Sequence, residues 1–288
     1  MSSKTTLVAL QSSANINVVI SEPPAPTNSS ESPTVIFLHF WGGSTRTWSL
    51  VNPLVSETCS TVAIDFRGWG RSTGPDDRDA YGIANLADDV EGVIGALRLT
   101  RVVLVGLSMG AKVAQLVASR LCSGLRKFEA SVDLQGLVLV SPAPPTPLVL
   151  PPDMKEQQMH AYESKELAAF VASNVLTTTF RGGDLPSFVV NDMLAGNKWA
   201  REAWPAYAML TDISDAVSRL TIPTLVLAAA EDIVEPLDRV KAELCSHFPA
   251  AGLEVLHGSG HLSPLDAPET VARHLLAFLE TVKTERDP

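Results

Sequence analysis

The stretch that decides the fold is VVLVGLSMGAKVAQL, residues 102–116. Its first half is a near-continuous apolar run of the kind found in strands covered on both faces. Its second half reads as a helix apolar on more than one face, which suits a helix packed centrally against a sheet. Between them Gly106, Ser108 and Gly110 form G-x-S-x-G. A turn that passes straight from strand to helix is so tight that small residues are needed on either side. It lifts the Ser108 hydroxyl above the sheet, while the helix N-terminus offers backbone N–H groups to an anion.

The same strand signal recurs on both sides of this turn. TVIFLHF (34–40), STVAIDF (60–66), GLVLVSP (136–142) and PTLVLAA (223–229) are short apolar runs, and a shorter LEVLH (253–257) follows. Helical patterns separate them: Leu86, Val90, Val93, Ile94 and Leu97 lie on one stripe, as do Val271, Leu275, Phe278, Leu279 and Val282. Strands alternating with helices predict an α/β fold with a mostly parallel, doubly wound sheet. The rhythm breaks after Ser141, where PAPPTPLVLPP (142–152) is proline-rich and the residues up to about Leu220 have helical composition without a convincing parallel strand. Residues 1–141 and 221–288 are therefore expected to form the core domain, with 142–220 as an inserted helical cap. SEPPAPTNSSESP (21–33) reads as a polar connection between the first two strands.

Composition narrows the function. A net charge of −10 with no basic stripe argues against nucleic acid or another polyanionic partner. Three scattered cysteines, Cys59, Cys122 and Cys245, support neither a disulfide framework nor a zinc site, and no metal or cofactor is expected. No segment resembles a signal peptide or a membrane span, so a cytoplasmic protein, monomer or homodimer, is the expectation; the sequon at Asn28 is read as chance. Gly68 and Gly70 read as a structural turn, because the third glycine and the following helix of a dinucleotide site are missing.

A serine hydroxyl is a poor nucleophile near neutral pH and needs a base, which in turn needs an orienting carboxylate. Of the six histidines, His261 is best placed, in the glycine-flexed loop of LHGSGHLSPLDAPE (256–269) between a short strand and the final helix. His160, His247 and His274 fall within helical patterns, and His257 sits nearer the strand. The carboxylate is expected at a strand end between the serine and the histidine, where TLVLAAAEDIVEP (224–236) offers Glu231 and Asp232 side by side. Spacing favours Asp232, and Glu231 is the alternative. The preceding strand end holds no acid, unless the cap supplies Asp153.

With these residues in view, the chain resembles the α/β-hydrolase superfamily over essentially its whole length. HFWGG (39–43) resembles its His-Gly oxyanion loop, DFRGWGRS (65–72) its D-x-R-G-x-G-x-S loop, GLSMG its nucleophile elbow and GSGHLSPLDAPE its histidine loop. The family's acid stands four residues before a proline, as Asp232 stands before Pro236. The resemblance implies a Ser108–His261–Asp232 triad and acyl transfer to the serine, with backbone N–H groups of Trp41 and Met109 binding the oxyanion. It implies hydrolysis of a small, largely apolar carboxylic ester or lactone. Cleavage of a carbon–carbon bond or a lyase reaction uses the same triad, and a small-ligand receptor on the same fold is the alternative of another class. Dehalogenases and epoxide hydrolases of the superfamily carry an aspartate at the elbow, where this chain has Ser108.

Phe40, Trp41, Met109, Met159, Phe170, Trp199 and Trp204, with Met209, are the expected substrate-pocket residues; the bland reading of the aromatic and Met side chains within 142–220 is that they pack a small core of their own. Phe40 stands where the family has glycine. It is expected to leave the Trp41 N–H intact and to place its ring on the wall between core and cap, with Gly42 and Gly43 absorbing any unusual dihedral. His39 is expected to hold the loop, and Asp65 and Arg67 to fix theirs through local hydrogen bonds and a salt bridge.

Overall fold

The computed structural model describes residues 2–24, 32–125, 131–182 and 184–284; Asn28 and part of the connection at 21–33 lie outside them. Eight strands among the described residues form one sheet: β1 (Ser2–Ala9), β2 (Asn15–Glu22), β3 (Thr34–Leu38), β4 (Thr61–Ile64), β5 (Arg101–Leu107), β6 (Asp133–Val140), β7 (Thr224–Ala229) and β8 (Gly252–Leu256). Their order is β1-β2-β4-β3-β5-β6-β7-β8. Pairing is parallel from β4 through β8, while β1 with β2 and β2 with β4 are antiparallel. The predicted parallel, doubly wound core is therefore present. One element differs from the sequence reading: an antiparallel ribbon precedes the parallel strands, so the polar connection joins the second strand to the third. β1 (SSKTTLVA) is an edge strand with most residues exposed, and it lacks the alternation that marks a half-buried strand.

The parallel strands are buried because helices cover both faces. Every residue of β5 after Arg101 is buried, as are all of β4 and β7. Helix α1 (Ile83–Ala96) buries the predicted stripe Leu86, Val90, Val93 and Ile94. Helix α2 (Met109–Ser123) buries most of its length, including Lys112 and Gln115. Each apolar side chain fully buried in this way contributes about 1.5–3 kcal/mol.

Between β6 and β7 the chain is helical: α3 (Pro152–His160), α4 (Lys165–Val171), α5 (Ser187–Ala195) and α6 (Lys198–Ala206). These helices are of two kinds. α6 carries a clear apolar face with Ala200, Ala203 and Trp204 buried, whereas α3 has no buried residue. The final helix, α7 (Pro268–Thr284), follows the His261 loop and buries Val271, Leu275, Leu279 and Val282.

Candidate active site

Ser108 joins β5 to α2 with φ 55° and ψ −117°, a conformation that an L-residue holds only when its surroundings impose it. They do so through close packing. A Cβ on Gly106 would come within 2.4 Å of the Gly110 carbonyl oxygen, and one on Gly110 within 2.5 Å of that of His39. The Ser108 N–H donates to the Val140 carbonyl (3.1 Å), and the N–H groups of Ala111 and Lys112 donate to the Ser108 carbonyl. The serine is therefore fixed by the sheet on one side and the first turn of α2 on the other.

Asp232 and His261 meet across the ends of β7 and β8. Asp232 Oδ1 accepts the N–H groups of Val234 and Glu235 at 2.8 and 2.9 Å, and its Oδ2 lies 2.8 Å from His261 Nδ1. An ionised carboxylate only accepts, so Nδ1 carries the proton and Nε2 keeps a lone pair. Both side chains are almost fully buried. Burial alone pushes the His261 pKa down, but the charge and hydrogen bond of Asp232 outweigh it and leave the imidazole above its ordinary value.

Glu231 does a different job from its neighbour: its Oε2 accepts the Ser259 N–H at 2.9 Å. Asp266 accepts the Gly260 N–H (2.9 Å), and the Leu262 N–H donates to the Leu176 carbonyl (2.8 Å), so the His261 loop is gripped on both sides.

The loop after β3 is held from below by a neutral histidine. His39 Nε2 accepts the Phe66 N–H at 3.0 Å, so the proton sits on Nδ1 and is donated to the Phe40 carbonyl at 2.6 Å. Burial, opposed by Asp65 and the Phe40 bond, lowers its pKa to about 4 and keeps it uncharged. Asp65 accepts from Asn17 Nδ2, the Thr45 N–H and the Arg71 N–H. Arg67 reaches past the loop to a buried, two-pronged pair with Asp89 of α1, so its salt bridge is long-range.

From above, the same loop is held by residues that carry no sequence motif. The Tyr162 hydroxyl donates to the Trp41 carbonyl at 2.8 Å, and the two rings stack with centroids 4.1 Å apart. Trp41 Nε1 donates to the Arg201 carbonyl at 3.0 Å, and Ser44 Oγ to Asp192 at 2.6 Å. Gly42 takes φ +97°, and a Cβ there would meet the Tyr162 ring at 2.6 Å. Gly43 has no such dihedral; it is needed because a Cβ would meet Thr47 and the Phe40 ring. Among the described residues, neither the Trp41 nor the Met109 N–H has an acceptor.

The remaining expected pocket residues do not converge. Phe40 is 4% exposed with its ring against Gly43, and Met109, Trp204 and Met209 are buried in the core. Trp199 donates to Asp76 Oδ1, and Phe170 is 60% exposed. Trp41 and Met159 share a cavity of about 610 Å³ whose lining includes neither Ser108 nor His261. Among the described residues there is no cluster of three or more potential metal ligands, and no helix is long and apolar enough to cross a membrane.

Known proteins give this arrangement a family context. The sequence model of the Alpha/beta hydrolase family matches residues 35–274. The chain is 25% identical over 240 residues to the AB hydrolase superfamily protein YisY of Bacillus subtilis, covering 79% of this chain and 84% of that one. The esterase EaEST from Exiguobacterium antarcticum superposes with a TM-score of 0.77 at 21% identity, over 96% of this chain and 100% of that one. The enol-lactonase from Burkholderia xenovorans LB400 superposes with a TM-score of 0.76 at 15% identity, again over 96% and 100%. At these identities the two solved structures show a common fold.

Proposed function

Because the chain belongs to the alpha/beta hydrolase family, we propose that it hydrolyses a carboxylic ester or lactone of a small, largely apolar substrate through an acyl-enzyme. The observation that carries this reading is the buried 2.8 Å His261–Asp232 hydrogen bond, which leaves imidazole Nε2 free to take a proton. Ser108 on its strained turn is the nucleophile: its Oγ adds to the carbonyl carbon as His261 accepts the proton. Asp232 fixes the tautomer and stabilises the imidazolium. The oxyanion falls to the unpartnered N–H groups of Trp41 and Met109, each worth about 2.7–4 kcal/mol in the transition state. His261 then returns the proton to the leaving alkoxide, and water, deprotonated by the same base, releases the acid.

In this reading the helical segment 142–220 is the cap, and its Met159 lines a cavity with Trp41. Two proteins that share the fold are an esterase and an enol-lactonase. The test is turnover of short p-nitrophenyl esters and of lactones, with fluorophosphonate labelling of wild type and Ser108→Ala. Labelling and turnover are expected in wild type and lost by about a millionfold in the variant. Equal, background turnover in both across the panel overturns the enzyme reading in favour of a binding protein.

A further inference from the structure

His261 is flanked by two peptide groups that are held from different parts of the chain. The Gly260 N–H donates to Asp266 Oδ2 at 2.9 Å, and the Leu262 N–H donates to the Leu176 carbonyl at 2.8 Å. Asp266 closes the short helix Ser263–Asp266 of the core, whereas Leu176 belongs to the helical segment. The loop has little stiffness of its own, since Gly258 takes φ +74° and Gly260 has no side chain. A Cβ on Gly260 would stand 3.2 Å from the Leu176 carbonyl oxygen and 3.3 Å from Asp266 Oδ2, so glycine there permits the close approach from both sides.

Leu176 ends a π-helical turn, Ala172–Leu176, that continues α4. Such turns are rare and occur frequently at functional sites. Thr177 Oγ1 closes it on the Ala172 carbonyl at 2.9 Å, and at Thr177 the backbone becomes extended (φ −124°, ψ 158°). The next residues then run against the His261 loop. The Thr178 N–H donates to Asp266 Oδ2 and the Thr179 N–H to Asp266 Oδ1, both at 3.0 Å. The Thr178 hydroxyl has one proton to give and lies nearer the Gly258 carbonyl (2.9 Å) than Asp266 Oδ2 (3.3 Å). Asp266 therefore gathers three backbone N–H groups, one from the histidine loop and two from the helical segment. Three donors call for a group that only accepts, which a carboxylate is and an amide is not.

We propose that Asp266 is a positioning residue for the hydrolysis inferred above: it latches residues 176–179 to the His261 loop, so that docking of the helical segment sets where the imidazole stands. The proposal rests on the reading of His261 as the base. Withdrawal of the segment releases the Leu176 carbonyl, two of the three amides on Asp266 and the Gly258 contact together, and leaves the imidazole tethered by Asp232. A displacement of about 1 Å in a catalytic group costs up to a hundredfold, so a latch of this kind reaches the chemistry without touching the reacting atoms.

The experiment joins kinetics to NMR titration of the His261 side chain. The kinetics use the short p-nitrophenyl ester that wild type cleaves fastest; the titration uses the Ser108→Ala background and needs no turnover. Asp266→Asn leaves at least one of the three N–H groups facing an NH₂ group. It is expected to lower kcat about ten- to a hundredfold with KM within about twofold. It is also expected to lower the His261 titration midpoint by about 0.5 or more, because an imidazole loosened from Asp232 is left to the effect of burial. Thr178→Val removes only the hydroxyl contacts, from the side of the helical segment, and changes no charge. Its midpoint is expected to move in the same direction with kcat down about two- to fivefold, which a direct charge effect of Asp266 does not produce. If Asp266→Asn fails to fold, Thr178→Val decides alone. A His261 midpoint unmoved by Thr178→Val, or kcat losses matched fully by Tm, makes Asp266 a part of the fold only and overturns the proposal. Absence of turnover in wild type, with the midpoint still lowered by both variants, supports the latch while removing the hydrolase reading.

Discussion

The two halves of the proposed site are built in opposite ways. The turns that carry Ser108, Asp232 and His261 lie at strand ends and are braced largely by their own neighbours: Gly106 and Gly110, the amides of Val234 and Glu235, and the 259–266 loop. The loop that carries Trp41 is instead clamped from far along the chain, by Tyr162 at 121 residues' separation, Asp192 at 148 and Arg201 at 160. The proton-transfer half is thus braced mostly within the core, with added contacts to its His261 loop from Leu176 and Thr178 of the helical segment. The oxyanion half depends on how the helical segment docks, so damage to that segment is expected to reach the chemistry through backbone position alone.

The comparison is broken most severely from the sheet side. Asp232→Asn offers His261 an amide in place of an acceptor-only carboxylate, which favours the wrong tautomer, and kcat is expected to fall about ten-thousandfold. With the carboxylate gone, burial dominates, so the acid limb of the residual pH–rate profile moves to lower pH. Glu231→Gln keeps the Ser259 contact partly intact and is expected to cost only a few-fold. If Glu231→Gln costs more than Asp232→Asn in matched kinetics, the acid has been misassigned.

On the clamped side, Tyr162→Phe removes one hydroxyl and leaves the stack on Trp41. Complete loss of an oxyanion donor costs about a hundred- to a thousandfold, and loosening the peptide that carries it is expected to lower kcat about tenfold with KM and Tm nearly unchanged. An unchanged kcat, or a loss tracked fully by Tm, shows that the clamp is structural only.

Legibility in the sequence follows the same division. The parallel strands, α1, α2 and α7 were readable because periodicity and short motifs act over a few residues. The choice between Glu231 and Asp232 rested on spacing and resemblance until the fold showed that one holds the Ser259 amide and the other His261. Tyr162, Asp192 and Arg201 sit in stretches such as HAYESKE (160–166) that carry no pattern, since a contact across 121 residues leaves no local trace. The β1–β2 ribbon escaped for a related reason: an exposed edge strand need not alternate.

Phe40 lies at the junction of the two halves. Its ring packs against Gly43 and does not line the 610 Å³ cavity, so Phe40→Gly is expected to remove core packing, costing about 3–5 kcal/mol in chemical denaturation, with acyl-chain preference unchanged. A shifted preference at unchanged stability restores Phe40 to the pocket wall.

The smallest expected effect sharpens the sheet side, at Glu235. Its N–H holds Asp232 Oδ1, its carboxyl is 2% exposed, and Arg239 Nη1 lies 3.1 Å from Oε2. Burial pushes that carboxyl up to about 8 from an ordinary 4.5, against the pull of Arg239 and His261. Between those values the folded chain keeps a proton that the unfolded chain releases, so this group's contribution to stability is full below about 4.5 and is lost as pH rises through about 8. Glu235→Gln cannot ionise, and its Tm is expected to fall less than that of wild type across the same interval. The kinetic sign is the reverse. Ionisation above about 8 adds negative charge beside the His261–Asp232 pair and favours the imidazolium, so wild-type kcat/KM is expected to climb a further two- to fivefold, roughly, through that pH while Glu235→Gln stays level. Parallel profiles for the two proteins, in both Tm and kcat/KM, place Glu235 outside the proton-transfer half and leave Asp232 as its sole carboxylate.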